Sequence, residues 1–318
     1  MSNIYSKIII PTRPHPDVIA GIFLLIKFGQ DKYPGVKDAS IDIWQELPAG
    51  DTDVSLEKKG VLLLDVGGGK FDHHKSGKNL SHLIAEDLGI LAEPSIAKIL
   101  AYAERDDKHG LGTISVDRLD KAFGLSGLVS SLNKTIEDPE KIVKIVLPLL
   151  EAHFNEEKRR TQELPQEFEN KLKEGKANIF EVKQGKKILK VVVLESDNLS
   201  MSGWLKSSGG VKADVVCQRN NAGFTNILTK PLKMVDLRWL AAYIRKAEAE
   251  LRNRKLVCST FDLMNPGKMQ EIPEWYYDRA TNSVLNGGAI PKGILPTAIP
   301  LETIKEILKE ALAQDSPR

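Results

Sequence analysis

The chain has 318 residues, 42% hydrophobic and 28% charged, with a formal net charge of +2, a balance that argues against a disordered or strongly polycationic protein. With only Cys217 and Cys258 present, a disulfide scaffold or thiolate zinc centre is disfavoured, and no apolar run reaches the roughly 18 residues a membrane span needs. The start, Met-Ser-Asn-Ile-Tyr-Ser-Lys, lacks a secretory apolar core, so a cytoplasmic protein without a membrane partner is expected, and nucleic acid would have to be met by a local basic patch.

Lys7-Ile8-Ile9-Ile10 reads as a buried strand and Asp17 to Phe28 as the apolar helix after it, with Pro11, Pro14 and Pro16 stiffening the loop between. Strands at Ser40 to Trp44 and Val61 to Asp65 complete a β-α-β pattern, which predicts a mostly parallel sheet. Helical patterns follow at Ser81 to Leu88, Ser95 to Glu104, Ser126 to Leu132 and, as one long charged helix, Pro139 to about Lys173. Beyond it Ala177 to Val182, Ile188 to Leu194, Val211 to Cys217 and Phe224 to Thr229 read as strands, the last two joined by a hairpin turn at Arg219-Asn220-Asn221-Ala222-Gly223. Helices at Val235 to Arg254 and Leu301 to Ala313 close this part. The expected division is an α/β domain at 1–175 and an α+β domain at 176–318.

The densest chemistry lies at Asp65-Val66-Gly67-Gly68-Gly69-Lys70-Phe71-Asp72-His73-His74. Two carboxylates and two imidazoles within ten residues can bind hard or borderline divalent ions such as Mg²⁺ or Mn²⁺. His15 and Asp17 follow the first strand, and parallel strands would bring them to the same sheet edge as Asp65. Asp17 reads equally as a helix cap, and Asp65 as a strand-end turn residue. Asp106-Asp107 ends a helix where acids are mildly unfavourable, which either a solvated end or a nearby cation would answer. A centre rich in Asp and His suits two metals about 3.5 to 4 Å apart acting on a phosphate ester.

Phe71-Asp72-His73-His74, preceded by Leu64-Asp65-Val66-Gly67-Gly68, resembles the signature of the DHH phosphoesterase superfamily, closest to the Myg-type 3′→5′ exonucleases. His15-Pro16-Asp17, the Asp-Val-Gly-Gly strand end, Asp-His-His and a later Asp occur in that family's order across residues 8 to 107. The resemblance implies His15 and Asp17 as one pair of ligands, Asp65 as bridging carboxylate, His73 as ligand to a second metal, and Asp107 or Asp106 as the closing ligand. It implies that His74 contacts the substrate phosphate and that Asp72 orients the histidines. The implied fold is a parallel-sheet catalytic domain followed by a smaller α+β domain, with the active site in the cleft between them. The implied activity is a Mn²⁺- or Mg²⁺-dependent phosphodiesterase, an exonuclease on single-stranded RNA or DNA, and a homodimer is a compatible assembly. Small substrates such as nanoRNA, cyclic dinucleotides or polyphosphate are the alternative. Val18 stands where Myg-type relatives carry an acid, with Ile19 nearby, so a nucleotide-binding module without turnover is a third reading.

In the second half, Arg219 and Lys230 are candidate phosphate contacts, although a polar turn explains them as well. Ser207-Ser208-Gly209-Gly210 offers amides for an anion nest, and the arginines of the helix Val235 to Arg254 read mainly as a solvated face with a basic end. Trp275-Tyr276-Tyr277 reads as a strand packed on the core rather than a base-stacking platform.

Overall fold

The computed structural model describes residues 4–72, 77–110, 116–230, 233–288 and 293–314. The chain forms two compact units, Met1–Arg159 and Arg160–Arg318. Among the described residues no helix is long and apolar enough to cross a membrane.

In the first unit, strands β1 (Lys7–Ile10), β2 (Ser40–Ile43) and β3 (Val61–Leu63) form a parallel sheet in the order β2-β1-β3. Helices α1 (Pro16–Phe28) and α2 (Asp53–Lys58) connect these strands in the expected β-α-β manner. Every residue of α1 from Pro16 to Leu25 is buried, so this helix is wrapped on all sides, as its unbroken apolar sequence requires. It is packed by α3 (Leu80–Asp87), α4 (Ala97–His109) and α7 (Pro139–Lys158), with α5 (Arg118–Phe123) and α6 (Leu125–Thr135) between the last two in sequence. The approach of α1 to α3 is close enough that a β-carbon on Gly21 would lie 2.8 Å from Ile84 Cδ1.

The single helix expected from Pro139 to Lys173 is two helices. A π-helical segment, Arg159–Glu163, separates α7 from α8 (Leu164–Lys173). Pro165, at the start of α8, has no N–H to give to the preceding turn and its ring crowds that turn's carbonyl, which favours the wider π-helical turn ahead of it. The unit boundary therefore falls at Arg159/Arg160, ahead of the expected 175. Leu164 and Phe168 of α8 pack with Ala177, Val192 and Trp204, which ties α8 to the second unit and makes that unit equal in length to the first rather than smaller.

The second unit is built on six strands, β4 (Ala177–Gln184), β5 (Lys187–Glu195), β6 (Val215–Arg219), β7 (Thr225–Thr229), β8 (Trp275–Asp278) and β9 (Ser283–Asn286), in the order β4-β5-β6-β7-β9-β8. Only the β5–β6 pair is parallel. Helix α9 (Met201–Lys206) provides that crossover, and α10 (Arg238–Leu251), α11 (Thr260–Leu263) and α12 (Leu301–Leu312) complete the unit. β8 alternates buried Trp275 and Tyr277 with half-buried Tyr276 and Asp278, as expected for a strand on the core.

Candidate functional site

β1 and β3 lie side by side and run the same way, with Leu64 N donating to Ile9 O at 2.9 Å just past the last strand residue. Residues that leave the two strands therefore emerge at one sheet edge. His15 and Asp17 follow β1, and Asp65 follows β3. Asp65 is 7% exposed and left-handed, with φ of 59°, a conformation that a side chain resists, and the strand ends at Leu63, two residues before the expected Asp65. Asp65 N donates to Phe71 O at 3.1 Å, and Gly68 N donates to Asp72 Oδ2 at 2.7 Å, so the glycine-rich loop folds back on itself. Gly67 and Gly68 are both left-handed in this loop. The carboxylate of Asp72 thus shapes the loop that leads into His73 and His74, both of which lie outside the described residues.

The loop is also held from below. Lys70 Nζ lies 2.5 Å from Asp87 Oδ1 and 2.8 Å from Tyr33 OH, while Tyr33 OH donates to Asp87 Oδ2 at 2.6 Å and Lys32 adds a 2.8 Å contact. Burial pushes the Asp87 carboxyl up, but the hydrogen bonds from Lys32, Lys70 and Tyr33 outweigh it and hold the group below the usual carboxylate range. Nothing in the local sequence marks Asp87, which acquires this role because α3 ends beside α1's exit.

Asp17 has a structural task. It is fully buried, and its Oδ1 accepts from Asn79 Nδ2 at 2.9 Å and Ser81 N at 3.0 Å, its Oδ2 from Leu80 N at 2.8 Å. The helix it caps is α3 rather than its own, whose first position is held by Pro16. Val18 and Ile19 sit in the main core, 1% and 0% exposed. His15, half-buried at the N-cap of α1, makes no capping bond with its side chain. On α4, Asp106 accepts from Ser126 Oγ, and Ser126 is in turn bonded to Tyr102 OH through Oγ at 2.9 Å and N at 3.0 Å. Asp107 is exposed. Hydrogen bonding from α6 thus engages the half-buried carboxylate near this helix end.

Carboxylates with an imidazole suit a hard or borderline divalent ion. Among the described residues, however, no group of three or more His, Cys, Asp or Glu side chains is arranged to hold one. Asp17 already receives three N–H donors, and the two core aliphatics that follow it add no donor to this edge.

The second unit's candidates turn inward. Arg219 Nε donates to Thr225 Oγ1 at 2.8 Å and Nη2 to Ile299 O at 2.7 Å, so its guanidinium braces the β6–β7 hairpin. Lys230 is half-buried just past β7, its N donating to Asp214 O at 2.9 Å. Gly210 closes a turn onto Ser207 O, and a β-carbon there would stand 2.1 Å from Trp204 O; the glycine serves close packing. Arg245, Arg252 and Arg254, in and just after α10, are not a solvated face. Arg245 is 1% exposed and donates to Leu263 O, Asn265 O and Gly267 O at 2.8, 2.7 and 2.6 Å, while Arg252 Nε contacts buried Glu248 at 2.6 Å and Arg254 pairs with Glu274. Sequence could not separate these from surface charges, because their partners are backbone carbonyls and acids brought in by folding. Cys217 is wholly buried and its thiol is pushed up to about 12, which removes it as a nucleophile.

Comparison of the chain with protein-family models, with curated proteins and with solved structures returns no match.

Proposed function

We propose that the first unit is a divalent-metal-dependent phosphodiesterase of the DHH type, acting on single-stranded RNA or DNA from one end. The observation that carries this reading is Asp65, a nearly buried aspartate kept in a left-handed conformation at the strand end beside the exit of β1. A turn alone would favour glycine at such a position, and strain of this kind gathers at functional sites. Mn²⁺ or Mg²⁺, held by Asp65, His15 and His73 with Asp106 or Asp107 closing the shell, would acidify water and offset the charge of the phosphate oxygens. His74 would bind the phosphate, and Asp72 fixes the loop from which both histidines continue. Digestion of end-labelled oligonucleotides, with metal analysis of the purified protein, tests the reading. Loss of hydrolysis in Asp65→Ala and His73→Ala with folding retained is the expected result, and an inactive metal-loaded protein on oligonucleotides, dinucleotides and pyrophosphate would overturn it. Faster turnover of a dinucleotide than of a long strand would move the substrate to the small-molecule class.

A binding module without turnover is the second reading. It is favoured by the three N–H donors that already occupy the Asp17 carboxylate and by the burial of Val18 and Ile19. Metal or nucleotide binding with no product in the same assay would select it.

A further inference from the structure

The second unit holds a cavity of about 850 Å³, walled by the segment before α10, the end of α11 and the β8–β9 turn. That volume falls within the range of small-molecule sites, roughly 300 to 1,000 Å³. The walls are fixed before any ligand arrives. Asn282 Nδ2 donates to Val235 O at 2.8 Å, Gly267 bridges Tyr277 at the sheet edge, and buried Arg245 holds the carbonyls of Leu263, Asn265 and Gly267. The β8–β9 turn is itself tied down, with Asp278 accepting from Ala280 N at 2.9 Å and Thr281 Oγ1 at 2.8 Å.

Two unusual surface groups flank this preformed cavity. Phe261 is 65% exposed although it belongs to a short helix fixed by a capping box between Ser259 and Asp262, so an aromatic face is presented and not packed. Met234, 78% exposed, stands on a left-handed backbone with φ of 45°, as does Asn282 across the cavity with φ of 49°. Asparagine takes this conformation readily in a turn, so the left-handed Met234 is the less usual of the two. The charge is asymmetric too. Arg238 is neutralised by Asp236 through a contact of 2.6 Å, whereas Arg279, exposed on the turn, has no ion-pair partner among the described residues.

We infer that this cavity binds a nucleoside phosphate, its base lying against Phe261 with the Met234 thioether beside it and its phosphate meeting Arg279. A flat ring suits an exposed aromatic and a soft thioether, and an anion suits the uncompensated guanidinium. Inorganic phosphate would forgo the ring contact, and a nucleoside the charge. The ligand has two sources, a free mononucleotide or the phosphorylated end of a strand. The site is independent of hydrolysis in the first unit.

The test uses the full chain carrying Asp65→Ala, in EDTA, so that metal-dependent binding at the first unit is silent. A fluorescent adenosine monophosphate is titrated in and competed with AMP, adenosine, inorganic phosphate and a 5′-phosphorylated trinucleotide. Saturable binding is expected, with adenosine and phosphate competing at least about tenfold more weakly than AMP, since loss of either stacking or charge contact is worth that much. Phe261→Ala and Arg279→Gln, both exposed, should each weaken binding about tenfold at unchanged melting temperature. Competition by the trinucleotide equal to that of AMP assigns the strand end, and its failure assigns the free nucleotide. No saturation by about 1 mM, or unaltered affinity in both variants, overturns the inference. A loss of hydrolysis in Asp65→Ala with this binding intact bears on the first unit alone.

Discussion

Asp65 and Asp17 show how two aspartates from the same sheet edge part company. The backbone of Asp65 is left-handed, where alanine is strained and glycine is not. Asp65→Ala should therefore melt below Asp65→Gly by an amount equivalent to about 1 kcal/mol, while both lose metal-dependent hydrolysis. A thermal denaturation series with parallel activity assays checks this, and activity retained in Asp65→Gly would reduce the residue to a turn former. Asp17 satisfies three N–H donors at the start of α3. Asp17→Ala leaves buried amides at that helix end and should cost about 2 to 4 kcal/mol in denaturant unfolding, with EDTA present as well as without. Stability lost only when metal is supplied would mean that Asp17 acts as a ligand instead.

At the level of elements, α10 owes its place to buried charge. Glu248, fully buried, accepts from Trp275 Nε1 at 2.9 Å, from Ala298 N at 2.9 Å and from Arg252, and Thr297 Oγ1 also donates to it. One carboxylate thus joins α10 to β8 and to Thr297 and Ala298 ahead of α12. Glu248→Leu strands four donors, and a loss of about 3 to 5 kcal/mol is expected from chemical denaturation, whereas Glu248→Gln should retain part of the network. Arg245, one turn earlier on the same face of the helix, is its basic counterpart. Burial pulls its guanidinium down to about 10, yet three carbonyl acceptors keep it in place. Arg245→Met should loosen the segment 263–267, seen as faster amide exchange there, and should also weaken ligand binding at the adjacent cavity.

For the molecule as a whole, each hydrophobic cluster among the described residues stays within one unit. Fragments 1–159 and 160–318 should therefore each fold when expressed alone, as circular dichroism and dispersed amide spectra would show; a fragment that starts at 176 loses Leu164 and Phe168 from its core and should be less stable. Each unit also carries a part-buried acid held below its usual range. In the first it is Asp87; in the second it is Glu274, where burial pushes the carboxyl up but Arg254 and Arg252 outweigh it. A depressed carboxyl stabilises the fold above its unfolded value, near 4, and that contribution disappears as pH falls through the folded value. Both units should therefore lose melting temperature on acidification below about pH 4, and Asp87→Asn should flatten that limb for the first unit only.

Periodicity, glycine and proline act over a few residues, so the β-α-β start, the common edge for His15, Asp17 and Asp65, the hairpin after Arg219 and the packed strand at Trp275 were legible along the chain. Tertiary structure alone decided which polar groups are spent. Asp17 caps a helix 63 positions away at Leu80, Arg219 braces a hairpin and Arg245 holds three carbonyls, while Arg279 and Phe261 are left facing a cavity. A buried polar group must find partners wherever the fold supplies them, and those partners come from elements distant in sequence, so their assignment is invisible until the chain has packed.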